Sequence, residues 1–178
     1  MTEGVKKTGV FSWKELKNSP GIPSAERIEE GPVAFIECTQ EIPCDPCEKS
    51  CRFDAIVVGD SVINLPELID ENCTGCGACI PDCPGLAIFL VHKHYSDKHA
   101  SVSFPYEYYP LPQKGAWVSC VNREGETITT GKVLKVQTLP KYDQTAVITV
   151  AVPKEHCLEV RSIKQEVGDT YGERQEGQ

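Results

Sequence analysis

The chain has 178 residues, a formal net charge of −8 and a pI near 5.0, which is enough for one ordinary domain or two small ones. Its acidic balance argues against nucleic acid and anionic membranes as partners, and favours docking onto a basic patch of another protein. No apolar run approaches the ~20 residues that a membrane-spanning helix needs, and residues 1–17 lack the apolar core of a signal peptide. We therefore expect a soluble, cytoplasmic protein with no direct membrane span.

Residues 1–31 are predicted to form an N-terminal extension that serves as a docking arm. Ser12 and Glu15 have the spacing of a helix capping box, so we expect a short helix over about residues 12–18. The run Asn18-Ser19-Pro20-Gly21 then ends it. Phe11 and Trp13 are predicted to pack this arm onto the same domain or onto a partner.

Residues 32–95 contain an internal repeat. Each half has an apolar run (residues 33–36, and 62–65 with Ile69), then a group of four cysteines, then a short apolar segment (residues 54–58 and 85–90). A repeat at this spacing predicts two pseudo-symmetric halves, because each half is too small to bury an apolar face alone.

Residues 96–165 have a different character. β-branched runs at residues 117–121, 127–129, 133–136 and 146–152 are separated by turn signals, which predicts a small antiparallel barrel or sandwich. Residues 166–178 are polar and acidic, and are predicted to form a flexible tail.

Eight of the ten cysteines fall into the two groups of the repeat. The second group reads Cys73-x-x-Cys76-x-x-Cys79-x-x-x-Cys83-Pro84, and the first reads Cys38-x5-Cys44-x-x-Cys47-x-x-x-Cys51. In a reducing compartment, grouped cysteines are more often metal ligands than disulfides. Zinc sites favour paired Cys-x-x-Cys knuckles separated by longer gaps, so these spacings favour iron–sulfur clusters over zinc.

The second group resembles the bacterial-type two-cluster ferredoxin family, through the segment Ile69-Asp70-Glu71-Asn72-Cys73-Thr74-Gly75-Cys76-Gly77-Ala78-Cys79. With the first group included, the resemblance covers roughly residues 32–92. It implies two [4Fe–4S] clusters and one-electron transfer, with the fourth ligand of each cluster exchanged between the halves. The implied ligands are Cys51, Cys73, Cys76 and Cys79 for cluster A, and Cys38, Cys44, Cys47 and Cys83 for cluster B. The predicted fold is α+β: a ferredoxin-like dicluster domain of short strands and helices, followed by a small antiparallel β-barrel-like domain.

The first group departs from the family pattern. Five residues instead of two separate Cys38 from Cys44, and Arg52 replaces the proline after Cys51. Three alternatives follow. A longer loop still delivers Cys38 to cluster B, which we favour; cluster B has three irons or lacks one protein ligand; or the first half holds no cluster and contributes only Cys51, to cluster A.

The remaining candidate sites are weaker. His92, His94 and His99 are predicted to lie in a solvated loop between strands, with a metal tract as the alternative. Cys120 and Cys157 are predicted to be buried structural thiols. The aromatic segment at residues 104–110 is interpreted as an interdomain core, with a partner-docking surface as the alternative.

No nucleophile–base pair and no phosphate-binding glycine loop is found, so we predict no catalytic site in this chain and leave its enzyme status uncertain. The overall layout loosely resembles the small iron–sulfur subunits of flavin-dependent amino-acid or amine dehydrogenases of anaerobes. That resemblance implies a larger flavin-containing partner and a soluble electron acceptor or donor. The alternatives are a free-standing ferredoxin with an extra domain, an iron–sulfur sensor, and a zinc-stabilised interaction module.

Overall fold

The computed structural model describes residues 4–165, which form an α+β structure with a mostly antiparallel sheet and few, short helices. The predicted acidic tail at residues 166–178 lies outside the described residues. The helices are α1 (Val5–Thr8), α2 (Trp13–Leu16), α3 (Ala25–Glu30) and α4 (Pro46–Ser50), with 3-10 turns at Asp70–Asn72, Pro140–Tyr142 and Lys154–His156. The strands are β1 (Val33–Ile36), β2 (Ile56–Val57), β3 (Glu67–Leu68), β4 (Ile88–His92), β5 (His99–Tyr106), β6 (Trp117–Val121), β7 (Thr127–Gln137), β8 (Ala146–Pro153) and β9 (Ser162–Ile163).

Seven strands form one sheet in the order β1-β4-β5-β8-β7-β6-β9, and β2 and β3 form a separate ribbon. Strands β1 and β4 come from the cysteine-rich region, whereas β5 to β9 come from the β-rich region. The two regions are joined because β4 pairs with β5, for example Leu90 with Ser103. The predicted boundary at residue 95 falls in the β4–β5 connection, and the sheet continues across it.

The paired strands β1 and β4 present two different faces, because side chains alternate along a strand. Phe35 and Phe89 are register partners on one face. The guanidinium of Arg161 lies 4.9 Å from the Phe89 ring centroid and 5.9 Å from that of Phe35, a geometry that allows a cation–π interaction. The opposite face carries Ala34 and Ile36, and it covers the cysteines.

The N-terminal region packs onto this same chain. Glu15 accepts a hydrogen bond from the Ser12 backbone N–H at 2.9 Å, as a capping box requires. Leu16 of α2 is fully buried, and the ring centroid of Trp13 lies 6.4 Å from that of Phe35. Trp13 therefore packs the N-terminal region onto this same chain, which is one of the two predicted possibilities.

Strand β5 is not among the strands predicted from the sequence, which interprets residues 104–110 as an interdomain core. Proline lacks the N–H that a strand ladder needs, so it is tolerated where a strand has a neighbour on one side only. The β4–β5 ladder ends at Ser103, so Pro105 has a strand neighbour only on the β8 side. The aromatic segment is divided: Phe104 is buried inside the sheet, whereas Tyr109 is 64% exposed.

Among residues 4–165, no helix combines the length and the apolar character that crossing a bilayer requires.

Candidate metal centre

Four cysteines, three close together in sequence and one more than twenty residues before them, line one cavity. Cys51, at the C-terminal end of α4, meets three cysteines of the loop that follows the 3-10 turn at Asp70–Asn72. Ala34 of β1 and Leu90 of β4 form part of the cavity wall. The cysteines that line this first cavity are Cys51, Cys73, Cys76 and Cys79.

The other four grouped cysteines line a second cavity of similar size. Ile36 of β1 and Ile88 of β4 form part of its wall, so both cavities lie against the same pair of strands. The cysteines that line this second cavity are Cys38, Cys44, Cys47 and Cys83. In each cavity, three cysteines come from one half of the repeat and one from the other.

The two halves repeat a hydrogen bond to the cysteine that lines the cavity of the other half. The Ala55 N–H donates to Cys51 Sγ at 3.3 Å, and the Ala87 N–H donates to Cys83 Sγ at 3.4 Å. The residue just before each donor, Asp54 or Leu86, has a left-handed backbone with φ of 50° or 52°. Such a backbone costs a residue other than glycine roughly 1–2 kcal/mol. An N–H bond to sulfur stabilises the thiolate and tunes a bound metal.

The second half has no helix at Pro84, although the ferredoxin resemblance implies that a short helix starts at the fourth cysteine of the motif. Instead, the Leu86 N–H donates to the Cys83 carbonyl at 3.1 Å in a tight turn. The physical reason is length, because β4 begins at Ile88 and leaves four residues after Cys83. The first half does contain a short helix, α4, between Cys44 and Cys51.

The longer loop of the first half ends against the β2–β3 connection. Cys38 follows the end of β1 by two residues, and is half-buried in the wall of the second cavity. The Cys44 N–H donates to the Val62 carbonyl at 3.1 Å. The five residues between these cysteines thus span the cavity without removing Cys38 from it.

The thiols of each cavity interact electrostatically as a set. Burial, with a smaller contribution from the charges of Cys73, Cys76 and Cys51, raises the pKa of Cys79 to about 12. Burial likewise raises the pKa of Cys47 to about 11, with smaller contributions from its own three cavity neighbours. Four thiolates gathered in one such cavity therefore need a positively charged group between them.

A [4Fe–4S] cluster with four cysteine ligands fits this donor set. Among residues 4–165, no three His, Cys, Asp or Glu side chains converge on a single metal-ion position. A cluster holds its thiolates further apart than one ion does, because each thiolate binds a different iron.

Helix α3 fixes the start of the Cys73 loop through Arg27. Its guanidinium donates to the carbonyls of Asp70 (3.0 Å), Pro32 (3.1 Å) and Cys73 (2.6 Å). The Ser24 N–H donates to the Asp70 carboxylate at 2.8 Å, and this hydrogen bond lowers the pKa of Asp70. Sequence reasoning missed Arg27, since nothing in its spacing connects it to a loop more than forty residues away.

Gly75 is predicted to be essential for the close approach of the Cys73 loop to Pro32. Its φ is +68°, and an added Cβ would lie 2.5 Å from the Pro32 carbonyl oxygen. Gly75→Ala should cost ~1–2 kcal/mol for the left-handed backbone and a further ~1–3 kcal/mol for steric overlap. We expect a lower guanidinium midpoint and less iron per chain under anaerobic conditions.

The matched control is Gly125→Ala, because Gly125 has a φ of +81° and no atom within 4 Å of an added Cβ. This variant should lose only the ~1–2 kcal/mol of stability that a left-handed backbone costs alanine, and it should keep its iron. Equal losses in the two variants would contradict the role assigned to the contact with Pro32.

The other sequence candidates lie apart from the two cavities. His92, His94 and His99 lie at or between the ends of β4 and β5, as the predicted loop between strands requires. His94 pairs with Glu29 at 2.7 Å, and Lys93 pairs with the same carboxylate. Cys120 is 0% exposed and Cys157 is 2% exposed, which confirms the prediction of buried thiols.

Residues 66–89 match the model of the 4Fe-4S binding domain. The match contains the whole second cysteine group, and the domain indicates that the chain binds a [4Fe–4S] cluster. The 4Fe-4S domain spans β3, the Cys73 loop and the start of β4.

Relatives match part of the chain. A component of the Na+-translocating ferredoxin:NAD+ oxidoreductase complex of Acetobacterium woodii is 44% identical over 45 residues, 25% of this chain and 13% of the relative. A component of the ion-translocating oxidoreductase complex of Methanosarcina acetivorans is 47% identical over 49 residues, 28% of this chain and 17% of the relative. The ferredoxin-type protein NapF of Escherichia coli is 35% identical over 57 residues, 31% of this chain and 35% of the relative.

The alignments thus cover 13% to 35% of the length of these relatives. No solved structure matches the chain. The 4Fe-4S domain and the relatives support the assignment of the chain as an iron–sulfur protein of electron transport.

Proposed function

We propose that this chain relays single electrons through two [4Fe–4S] clusters, one in each four-cysteine cavity. The observation that carries the proposal is the division of eight cysteines into two sets of four. The proposed ligands are those implied by the ferredoxin resemblance: Cys51, Cys73, Cys76 and Cys79 for cluster A, and Cys38, Cys44, Cys47 and Cys83 for cluster B. The repeated N–H bonds to Cys51 and Cys83 support a pseudo-symmetric dicluster arrangement.

The relative position of the two cavities also supports an electron relay. Ala34 lines the first cavity, and Ile36, two residues along the same strand, lines the second. Two residues of a β-strand rise only ~7 Å. Clusters in neighbouring cavities could exchange an electron directly, with no bond made or broken and no proton transferred.

We propose further that the chain works as a subunit of a larger oxidoreductase. Two of the relatives are named as components of oxidoreductase complexes, which supports a role in a multisubunit assembly. More specifically, we propose that the larger partner is a flavin-containing dehydrogenase and that electrons pass to a soluble acceptor. This part of the proposal rests on the layout of the sequence. The cytoplasmic location and the barrel-like form of the C-terminal region stay predictions.

Anaerobic purification with iron and sulfide counts and an EPR spectrum of the reduced protein tests the cluster proposal. We expect about eight iron and eight sulfide per chain, together with a spectrum of two magnetically interacting clusters. About four of each would contradict a cluster in the second cavity, and zinc without sulfide would contradict both. Co-purification of a larger flavin-containing chain from the native host would support the partner proposal, and a monomer without a partner would contradict it.

A further inference from the structure

Three large apolar side chains are half-exposed beside the second cavity. Ile42 is 46% exposed, Val62 is 44% exposed and Ile63 is 45% exposed. We call these three residues the Ile42 patch. Ile42 belongs to the longer loop between Cys38 and Cys44, so the patch includes the part of this chain that departs from the ferredoxin pattern.

The Ile42 patch is continuous with the second cavity. Ile42 lines the cavity with Cys44 and Cys38 while almost half of its surface remains open to solvent. The hydrogen bond from the Cys44 N–H to the Val62 carbonyl, at 3.1 Å, brings the β2–β3 connection alongside this loop. A protein that contacted Ile42 would therefore be one side chain away from the cysteines of that cavity.

Val62 and Ile63 occupy the centre of a turn, which is closed by a hydrogen bond of 2.9 Å from the Asn64 N–H to the Ser61 carbonyl. Central turn positions usually carry glycine, proline or short polar residues, each for a conformational reason. Two β-branched apolar side chains at these positions add little stability to the turn. Because they are exposed, they also add little stability to the core of this chain.

Hydrogen bonds hold the patch in place. The Glu48 carboxylate of α4 accepts from the Val58 N–H at 3.1 Å, and Asn64 Nδ2 donates to the Val58 carbonyl at 3.0 Å. The connection that carries Val62 and Ile63 is thus tied to the helix beside the second cavity. A surface that is already ordered loses less entropy when a partner binds.

The charged residues near the Ile42 patch favour a positively charged partner. Glu41 and Asp60, which flank the patch in sequence, are exposed and negatively charged. At the first cavity, by contrast, the half-exposed Phe53 lies between Arg52 and Asp54, which are exposed and oppositely charged. Opposite charges around an apolar contact steer and orient a partner. The second cavity therefore offers the better surface for a basic partner.

We propose that the Ile42 patch is the docking surface for a redox protein whose cofactor edge lies in an apolar contact ringed by lysine and arginine. The proposal rests on the proposed function, since it places the electron-exchange partner at cluster B. In the docked pair one electron leaves the reduced cluster and enters the partner's oxidised cofactor, so the cluster is oxidised by one electron and the cofactor reduced by one. No proton or leaving group is involved.

The test uses mitochondrial cytochrome c as a basic redox probe, with its zinc-substituted, redox-inactive form for binding measurements at low ionic strength. Val62→Lys and Ile63→Lys are the test variants, because neither side chain lines the second cavity. Each replaces apolar surface with a charge that repels a basic partner. We expect each to weaken binding about tenfold, as loss of a central contact does, and to slow electron transfer to native cytochrome c by a similar factor.

Trp117→Lys is the matched control. Trp117 is 68% exposed and lies on β6, which β5, β8 and β7 separate from β4. The substitution makes the same change in net charge and removes more apolar surface, so we expect the affinity to stay within about twofold of the parent protein.

Unchanged affinity in both test variants, or an equal loss in Trp117→Lys, would overturn the docking proposal. Iron and sulfide counts separate this failure from a failure of the proposed function. The docking proposal fails if the test variants keep their clusters and bind cytochrome c with the dissociation constant of the parent protein. The proposed function fails if the parent protein holds no iron–sulfur cluster.

Discussion

A Cys51→Ala, Cys79→Ala double variant is expected to retain one [4Fe–4S] cluster, about four iron per chain, whereas Cys51→Ala, Cys47→Ala is expected to lose both. Cys51 and Cys79 line the same cavity, so removing both damages only cluster A. Cys47 lines the other cavity, so the second pair of substitutions removes one ligand from each cluster. Iron and sulfide analysis after anaerobic purification, with EPR of the reduced proteins, measures the difference.

The opposite pattern would show that each cysteine group binds its own cluster without exchange of the fourth ligand. Loss of all iron from both double variants would show that the second cavity holds no cluster by itself. A Cys120→Ala, Cys157→Ala double variant is the control, because it also removes two buried thiols but none that lines either cavity. It should retain about eight iron.

Glu37→Gln is expected to destabilise the protein by about 3–5 kcal/mol, because it removes the anion from a buried ion cluster. Glu37 is bound by Arg123 at 2.6 Å and by Arg161 at 2.7 Å, and all three side chains are at most 9% exposed. Burial lowers the pKa of Arg161 to about 10 despite the nearby Glu37 charge. Burial alone would raise the pKa of Glu37, but the two arginines outweigh it and hold that pKa below its ordinary value. The variant should show a lower guanidinium midpoint than the parent protein.

Glu159→Gln tests whether the contribution of the Glu37 ion cluster to stability depends on its burial. Glu159 pairs with the same Arg123 at 2.9 Å, but its side chain is 45% exposed. Exposed ion pairs contribute about 0–1 kcal/mol, so we expect a small shift of the midpoint. A shift as large as that of Glu37→Gln would contradict the argument from burial.

Features encoded by short spacings could be predicted from the sequence. The capping box at Ser12, strand β1 and strand β6 lie where local pattern placed them. The cysteine sets needed one further piece of knowledge, the exchange of ligands within the ferredoxin family. The structure does bring Cys51 beside Cys73 and Cys83 beside Cys38.

Features that depend on distant parts of the chain could not be predicted. The partners Arg161 and Glu37 are 124 residues apart, and charged residues at such a separation carry no periodic signal. Arg27 reaches carbonyl oxygens, which every residue possesses, so the sequence does not indicate which of them it binds. Strand β5 could not be predicted because a proline such as Pro105 is compatible with a strand only where the neighbouring ladder has ended, and the sequence does not show where that is.

Because the sheet continues across the β4–β5 connection, we do not expect the cysteine-rich region to fold stably without the C-terminal region. Cutting the chain after residue 95 would remove the strand that pairs with Leu90, Val91 and His92, and would leave β4 with an open edge. Unpaired strand edges promote aggregation. The long C-terminal region therefore serves as the lateral support of the wall against which both clusters are proposed to lie.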